Sequence, residues 1–386
     1  MSIEALTHAL SLPESWYLSL IDYTNTLRLL HPWLLPTAFG LIGACIGSYL
    51  NVIIYRLPRG MKTTQPARSF CPNCKAPIPW YLNIPIISWL MLRGRSACCH
   101  RPISPRYCIA EALTAALFIA VSLSFSHLLA LLWVALWMAA MTATFFIDLE
   151  TMTVMRRLTL AATAAALLAA AADPWMLQNP LSPATAAGLP YAAASALFGY
   201  LLLKLTAALG MLLFGMRSKR YARPQTWQLR QAADGEDIEL RIGSESLMLS
   251  RLLRDIGDRI LLRGATLELP GAPREAGLLQ LHADALLLPD GQRIPLEAHE
   301  QLTGSCRGYA TRSSAMGSGD AWIAMAIGAL TGWDGVLIAL SAGSLLGLLI
   351  AITARHGFGR PMPFGPCLIT AATLWWFLGE RLLALS

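Results

Sequence analysis

The chain has 386 residues, 55% of them hydrophobic and only 14% charged, with a mean hydropathy of +0.50. A soluble protein carries about 25% charged residues, so the composition excludes an ordinary soluble enzyme and points to an integral membrane protein. The formal net charge of +7 is read as membrane topology, with no nucleic-acid partner, because the basic residues sit in loops between apolar runs, where they hold orientation against anionic lipid.

Residues 1–33 carry Glu4, Glu14 and Asp22 and lack a basic stretch ahead of a clean apolar core. They are read as a retained, non-cytoplasmic segment and not as a signal peptide. Eight apolar runs follow, at about 34–55, 107–126, 128–148, 158–172, 188–214, 320–334, 335–354 and 366–385. Each is a candidate spanning helix. The expected fold is an all-α polytopic membrane protein of about eight transmembrane helices, interrupted by a small β-rich cytoplasmic insert.

No acidic residue occurs between Asp22 and Glu111, whereas the loop after the first run carries Arg56, Arg59, Lys62, Arg68, Lys75, Arg93, Arg95, Arg101 and Arg106. A loop so basic stays in the cytoplasm. Arg156 and Arg157, then Arg217, Lys219 and Arg220, then Arg355 and Arg360 mark the same side. Both termini then face away from it.

Four cysteines fall in that first basic loop: Cys71 and Cys74 in a C-x-x-C pair, and the neighbours Cys98 and Cys99. A reducing compartment disfavours disulfides, and a C-x-x-C turn lets two thiolates reach one tetrahedral ion. A zinc clamp is the reading, against the alternative of free thiols. Because adjacent cysteines chelate one ion awkwardly, His100 and Cys108 are further candidates for a fourth ligand. Cys45, Cys306 and Cys367 read as packing residues.

Residues 217–316 break the apolar pattern. RILLRGATLELPG (259–271) and LLQLHADALLLPDGQRIPLEA (278–298) alternate like strands, with a turn at Pro289-Asp290-Gly291. Nothing there resembles a catalytic motif, so a packing role or a protein partner is expected for this insert.

Two acids stand at the edges of apolar runs. The third run ends FFIDLE with Asp148, and the sixth begins GSGDAW with Asp320. One run enters the cytoplasmic side and the other leaves it, so the two acids share one depth. Paired carboxylates suit hydrolysis: one takes a proton from water while its protonated partner hydrogen-bonds the scissile carbonyl. Gly317 and Gly319 would leave room for substrate backbone beside Asp320. From the charges alone, each acid is equally an interfacial charge or helix cap, or part of an ion path.

GSGD (317–320), IDLE (147–150) with LTL (158–160), GSYLNVIIYRLP (47–58), CPNC (71–74) followed by WYLNIPIISWLMLRGR (80–95) and ISPRY (103–107), and MPFGPCL (362–368) together resemble the motifs of the type IV prepilin peptidases, in order. The resemblance covers most of the chain outside residues 1–33 and 217–316. It implies an inner-membrane aspartic endopeptidase that removes leaders from prepilins or pseudopilins on the cytoplasmic side, with Asp148 and Asp320 as the catalytic pair. It also implies methylation of the new N-terminus from S-adenosylmethionine, with residues 34–126 associated with that activity, 127–216 and 317–386 forming the peptidase core, and a structural zinc loop. No glycine-rich fingerprint for the methyl donor is visible; Asn51 and Arg56 are the polar residues of interest.

The sequence departs from the family pattern at Val154, Met155 and Arg156, where L-P-D is common, and at Trp322, where a lysine is frequent. Arg156 puts a cation near Asp148. A related scaffold with narrowed or lost peptidase activity, acting in assembly, is the alternative reading. A transporter ranks last, because its acids belong nearer mid-span.

Overall fold

The computed structural model describes residues 23–65, 69–71, 73–124, 128–173, 188–214, 216–231, 237–253, 258–269, 272–282, 284–296, 301–312, 317–353 and 362–383. Glu4, Glu14, Asp22, Arg68, Arg355 and Arg360 lie outside them. The chain divides into two compact units, residues 1–201 with 319–386, and residues 202–318.

The first unit is helical. Its main elements are α1 (Leu34–Arg56), α2 (Arg106–Ser124), α3 (Leu128–Thr151), α4 (Arg156–Ala172), α5 (Gly188–Phe214, which runs into the second unit), α6 (Ser318–Thr353) and α7 (Gly365–Leu383). Among the described residues, α1, α2, α3, α5 and α6 are long and apolar enough to cross a membrane. Leu197, Leu201, Leu205 and Leu209 recur every fourth position on α5 and are all exposed. A leucine stripe of this kind is stable only against lipid or another apolar surface.

The central helix is α3. It packs against α1, α2, α4 and α7, and Trp137 donates its indole N–H to the Ala326 carbonyl of α6 at 2.9 Å. Its buried threonines are satisfied within the helix: Thr142 and Thr144 hydrogen-bond back to Met138 and Ala140. The alanines of α4 (Ala162, Ala165, Ala166, Ala169, Ala170) are buried and let it lie close against α3.

α6 corresponds to the two runs expected at 320–334 and 335–354. Its 36 residues are helical except at Gly332, with φ 81 and ψ 175, a conformation for which glycine is suited. The chain reverses there. A Cβ on Gly199 of α5 would meet both the Ala324 carbonyl oxygen and, at 3.2 Å, Val336 Cγ2. An unbroken helix would hold residues 324 and 336 roughly 18 Å apart. Asp334, buried just past the break, accepts a hydrogen bond from Tyr191 at 3.4 Å.

The second unit is an antiparallel sheet of eight strands: β1 (Met216–Gln231), β2 (Ile238–Ile242), β3 (Glu245–Met248), β4 (Arg259–Leu269), β5 (Ala272–Leu281), β6 (Ala285–Leu287), β7 (Arg293–Pro295) and β8 (Gln301–Arg312), in the order β3-β2-β1-β8-β4-β5-β6-β7. Inward residues alternate along the strands: Trp227 and Leu229, Leu240 and Ile242, Ile260 and Leu262, Leu279 and Leu281 form one core. Met216 pairs with Arg312, so the chain enters and leaves this sheet side by side, as an insertion requires.

β4 and the β6–β7 hairpin fall where strand-like alternation is visible in the sequence, and the turn lies at Pro289-Asp290-Gly291, with Gly291 at φ 86. The sequence reading misplaces the start of β5, at Ala272 and not near 278, and overlooks β1 and β8 at the centre of the sheet. Their sequences, such as SKRYARPQTWQLRQ, alternate with arginine, glutamine and threonine on one face and supply few apolar anchors.

Candidate functional site

Asp148 lies near the C-terminal end of α3 and Asp320 in the first turn of α6. They are only 4% and 9% exposed. Asp148 approaches the start of α7. A Cβ on Gly365 would stand 2.5 Å from Asp148 Oδ2 and 2.7 Å from Ile323 Cδ1, so no residue but glycine fits there without displacing one of them. Ile323 is one helical turn beyond Asp320, and the two carboxylates are close enough to interact electrostatically. The Gly365 N–H is placed to donate to Asp148, while Asp148 Oδ2 is buried without a partner. α3, α6 and α7 thus converge on two acids with one acceptor oxygen left over.

Gly319 plays a different part from the one its sequence context predicts. The space beside it is filled: a Cβ at Gly319 would lie 2.6 Å from Val154 Cβ. Its backbone φ is not positive. Gly319 therefore lets the α3–α4 loop pack directly against the turn that presents Asp320, and it leaves no channel for substrate there.

Arg156 is also placed otherwise than expected. Its guanidinium stacks 4.3 Å from the centre of the Trp322 ring, and no ion pair joins it to Asp148 among the described residues. Trp322 in turn packs on Tyr200 with ring centres 4.9 Å apart. The two departures at 156 and 322 therefore touch each other, and the stack ties the start of α4 to the first turn of α6. Cation–π contacts are worth about 0.5–2 kcal/mol. A double-mutant cycle of Arg156→Ala and Trp322→Ala, read by thermal unfolding in detergent, should give a coupling of that size; strictly additive losses would show that the contact carries no energy.

In the α1–α2 loop the four predicted cysteines come together. Cys71 Sγ is 3.8 Å from Cys99 Sγ, Cys74 Sγ is 3.2 Å from Cys98 Sγ, and all four sulfurs lie within 4.8 Å of one another. Thiolates about 2.3 Å from a tetrahedral zinc stand roughly 3.8 Å apart, so the donor set fits zinc. His100 and Cys108 are not in the group.

The loop is built from two matching turns. Cys71 N–H donates to Ala76 and Lys75 N–H to Cys71, just as Ser96 N–H donates to Arg101 and His100 N–H to Ser96. Lys75 and His100 both take positive φ, 60 and 55. Ser96 thus occupies the place of Cys71 in the second turn, 2.9 Å from Cys98 Sγ, and Cys98 supplies the missing sulfur. Burial pushes the Cys71 thiol up, but the Cys74 N–H, the Ser96 hydroxyl and the Asn73 N–H outweigh it and hold the thiol down to about 6, a thiolate suited to a metal.

Beside this loop lies a cavity of about 440 Å³, lined among others by Asn51, Tyr55, Arg56, Trp89, Tyr107 and Glu111. Its volume is in the range of small-molecule sites. Gly47 permits it: a Cβ there would lie 2.7 Å from Glu111 Cα, so α1 and α2 touch through their backbones and Glu111 sits against Ser48 and Asn51. Glu111 is a residue that sequence reasoning passed over. The available signal was an acid one turn into an apolar helix, which is costly unless used.

Two family models match the chain. Residues 41–125 match the bacterial peptidase A24 N-terminal domain, and residues 285–352 match the type IV leader peptidase family. Over these two stretches the chain is similar to the type IV leader peptidase family. The first match contains the cysteine cluster, Asn51 and Glu111; the second contains Asp320, and Asp148 lies outside both. Among its relatives are proteins named prepilin leader peptidase/N-methyltransferase from Klebsiella pneumoniae, 46% identical over 95 residues, covering 23% of this chain and 41% of that protein, and from Aeromonas hydrophila, 37% identical over 152 residues, covering 33% and 52%. The Legionella pneumophila protein of that name is 34% identical over 148 residues, covering 33% and 52%. The chain thus spans about half the length, or less, of these relatives. No solved structure matches. Its apolar helices and these similarities together make the chain a multi-pass membrane protein.

Proposed function

We propose that this protein is an inner-membrane aspartic endopeptidase that removes leader peptides from prepilins or type II secretion pseudopilins at the cytoplasmic margin, and that it methylates the new N-terminus. The observation that carries the peptidase reading is that Asp148 and Asp320 are both buried and close enough to interact electrostatically, with Asp148 against Gly365. Two carboxylates in mutual reach share one proton. The ionised partner draws a proton from water as it attacks the scissile carbonyl, and the protonated partner hydrogen-bonds the carbonyl oxygen. A prepilin is itself a membrane helix with a cytoplasmic leader, so a site at the helix margin meets the junction without unwinding it.

The break at Gly332 supports eight crossings: α6 supplies two, and the shorter α4 and α7 complete the set. The basic loops support a cytoplasmic position for the acids. The alternative, a scaffold with narrowed or lost peptidase activity, drew on Arg156 and Trp322; their mutual stacking engages the Arg156 guanidinium, with no ion pair to Asp148 among the described residues, and weighs against it.

Methyl transfer is assigned to the cavity between α1, α2 and their loop, with zinc holding the loop in shape. Buried Asn51 Oδ1, which lacks a partner, and buried Glu111 are groups that a polar ligand would satisfy. S-adenosylmethionine would supply an electrophilic methyl there; Asn51, Glu111 and the aromatic walls would hold and orient it and keep water out.

The test is co-expression with each pilin-like protein of the host, followed by mass spectrometry of the product. Loss of the leader and gain of one methyl group support both activities; an uncleaved substrate set contradicts the peptidase. Gly319 gives a sharper check. Gly319→Ala drives a Cβ into Val154 and should displace Asp320, lowering cleavage about 10²-fold. Val154→Gly in the same chain removes the clash and should restore most of the rate; no rescue would show that Gly319 acts otherwise.

A further inference from the structure

We propose that Glu111 and Asn51 form a recognition subsite for a primary ammonium group, an inference that rests on the methyl-transfer reading of the cavity. Both residues line the cavity and are more than nine-tenths buried, at 8% and 4% exposure. Asn51 Nδ2 donates to the Tyr107 carbonyl at 3.0 Å, while its Oδ1 has no partner. The Glu111 carboxylate accepts the Ile86 N–H at 2.6 Å and hydrogen-bonds with the Ser48 and Asn51 side chains, but it makes no ion pair among the described residues.

The cations around the cavity are engaged elsewhere. Arg106 pairs with Glu150 at 2.7 Å. Arg56 donates to the Thr63 carbonyl at 2.8 Å and lies over the Phe70 ring. A buried carboxylate without a counter-charge, beside an orphaned acceptor, is costly. A ligand with several N–H donors and one positive charge satisfies both at once.

Ile86 supports the same assignment. It is a β-branched residue at φ 62 and ψ −53, a conformation that such residues avoid. Glu111 holds it there through the backbone N–H, and strained backbone of this kind gathers at ligand sites. In methyl transfer the ammonium has two sources: the amino-acid end of the methyl donor, or the N-terminus newly exposed on the cleaved substrate.

The experiment is isothermal titration of the full-length, detergent-solubilised protein. Two ligand pairs are used: S-adenosylhomocysteine against its analogue lacking the amine, and a short peptide with a free N-terminal Phe against its N-acetylated form. Glu111→Gln keeps an acceptor for Ile86 but loses the charge. It should weaken the amine-bearing member of one pair by roughly 10–100-fold and leave the amine-free member unchanged. The pair affected identifies the source of the ammonium. Asn51→Ala should act in the same direction by a smaller factor, and unaltered zinc content in both variants verifies that the loop is folded. Equal affinity of wild type and Glu111→Gln for the amine-bearing ligands overturns the subsite while leaving methyl transfer standing. Binding of neither pair by the wild-type protein overturns both. Binding of the free-amine peptide alone, with Glu111 dependence, supports the subsite and removes the donor from this cavity.

Discussion

Asp148→Asn and Asp320→Asn should each reduce leader removal by at least about 10³-fold, in the upper range for loss of a general acid–base group. An amide keeps the shape of the carboxylate but neither takes a proton from water nor shares one with its neighbour. Groups that act as a unit are non-additive, so the double variant should be no slower than either single one. The fold should survive: each change removes a buried acid and its desolvation cost, and thermal unfolding in detergent should be unchanged or slightly later. Methylation of a substrate supplied already cleaved should persist, because the cavity with Asn51 and Glu111 is formed by α1, α2 and their loop. Mass spectrometry of the pilin product reads both activities. Equal cleavage by either variant would remove that acid from the mechanism.

Zinc content should fall from about one ion per chain to near zero in Cys71→Ser and Cys74→Ser, and equally in Cys98→Ser, because all four thiolates are needed to close a tetrahedral structural site. Binding of structural zinc contributes roughly 10–16 kcal/mol to the folding of such loops. The segment around the cluster should therefore become sensitive to protease in these variants. The two-turn geometry adds a rescue: Ser96→Cys in the Cys98→Ser background places a sulfur where the first turn has Cys71 and should return the metal. Zinc measured on the purified protein checks each step. Unchanged content in Cys71→Ser, or failure of Ser96→Cys to rescue, would mean that the matching of the turns has no bearing on metal binding.

Much of this was legible in the sequence, for identifiable reasons. Apolar length reveals spanning helices because lipid demands an unbroken run, so α1, α2, α3 and α5 fall where the hydropathy puts them. Asp148 and Asp320 stand out because a carboxylate is rare at the edge of such runs. The four cysteines stand out because thiols clustered in a basic loop with a C-x-x-C pair have few other uses.

The rest depended on contacts that sequence order conceals. Arg156 and Trp322 read as two separate departures, yet they stack on each other. Gly319 reads as a gap beside Asp320, and it is a gap into which Val154 fits. Cys98 and Cys99 read as awkward neighbours on one ion, but the second backbone turn, with Ser96 in the place of Cys71, carries Cys98 to the same cluster. Glu111 carried a signal as an acid within an apolar helix, but its place in the site shows only in the close approach of α1 and α2 at Gly47, which brings it to Asn51. β1 and β8 escaped because a central strand with one polar face offers only every second residue as a signal.

The most direct test of the central claim is proximity. In a chain with Cys45 and Cys367 changed to Ser, the double variant D148C and D320C should be joined by a short bifunctional thiol reagent in native membranes, and peptide mapping should recover residues 148 and 320 in one cross-linked product. Joining at 148 and 320, protected by a bound prepilin, is the result predicted. Modification of both cysteines without any cross-link between them would contradict the account, because the two carboxylates would then not share a site.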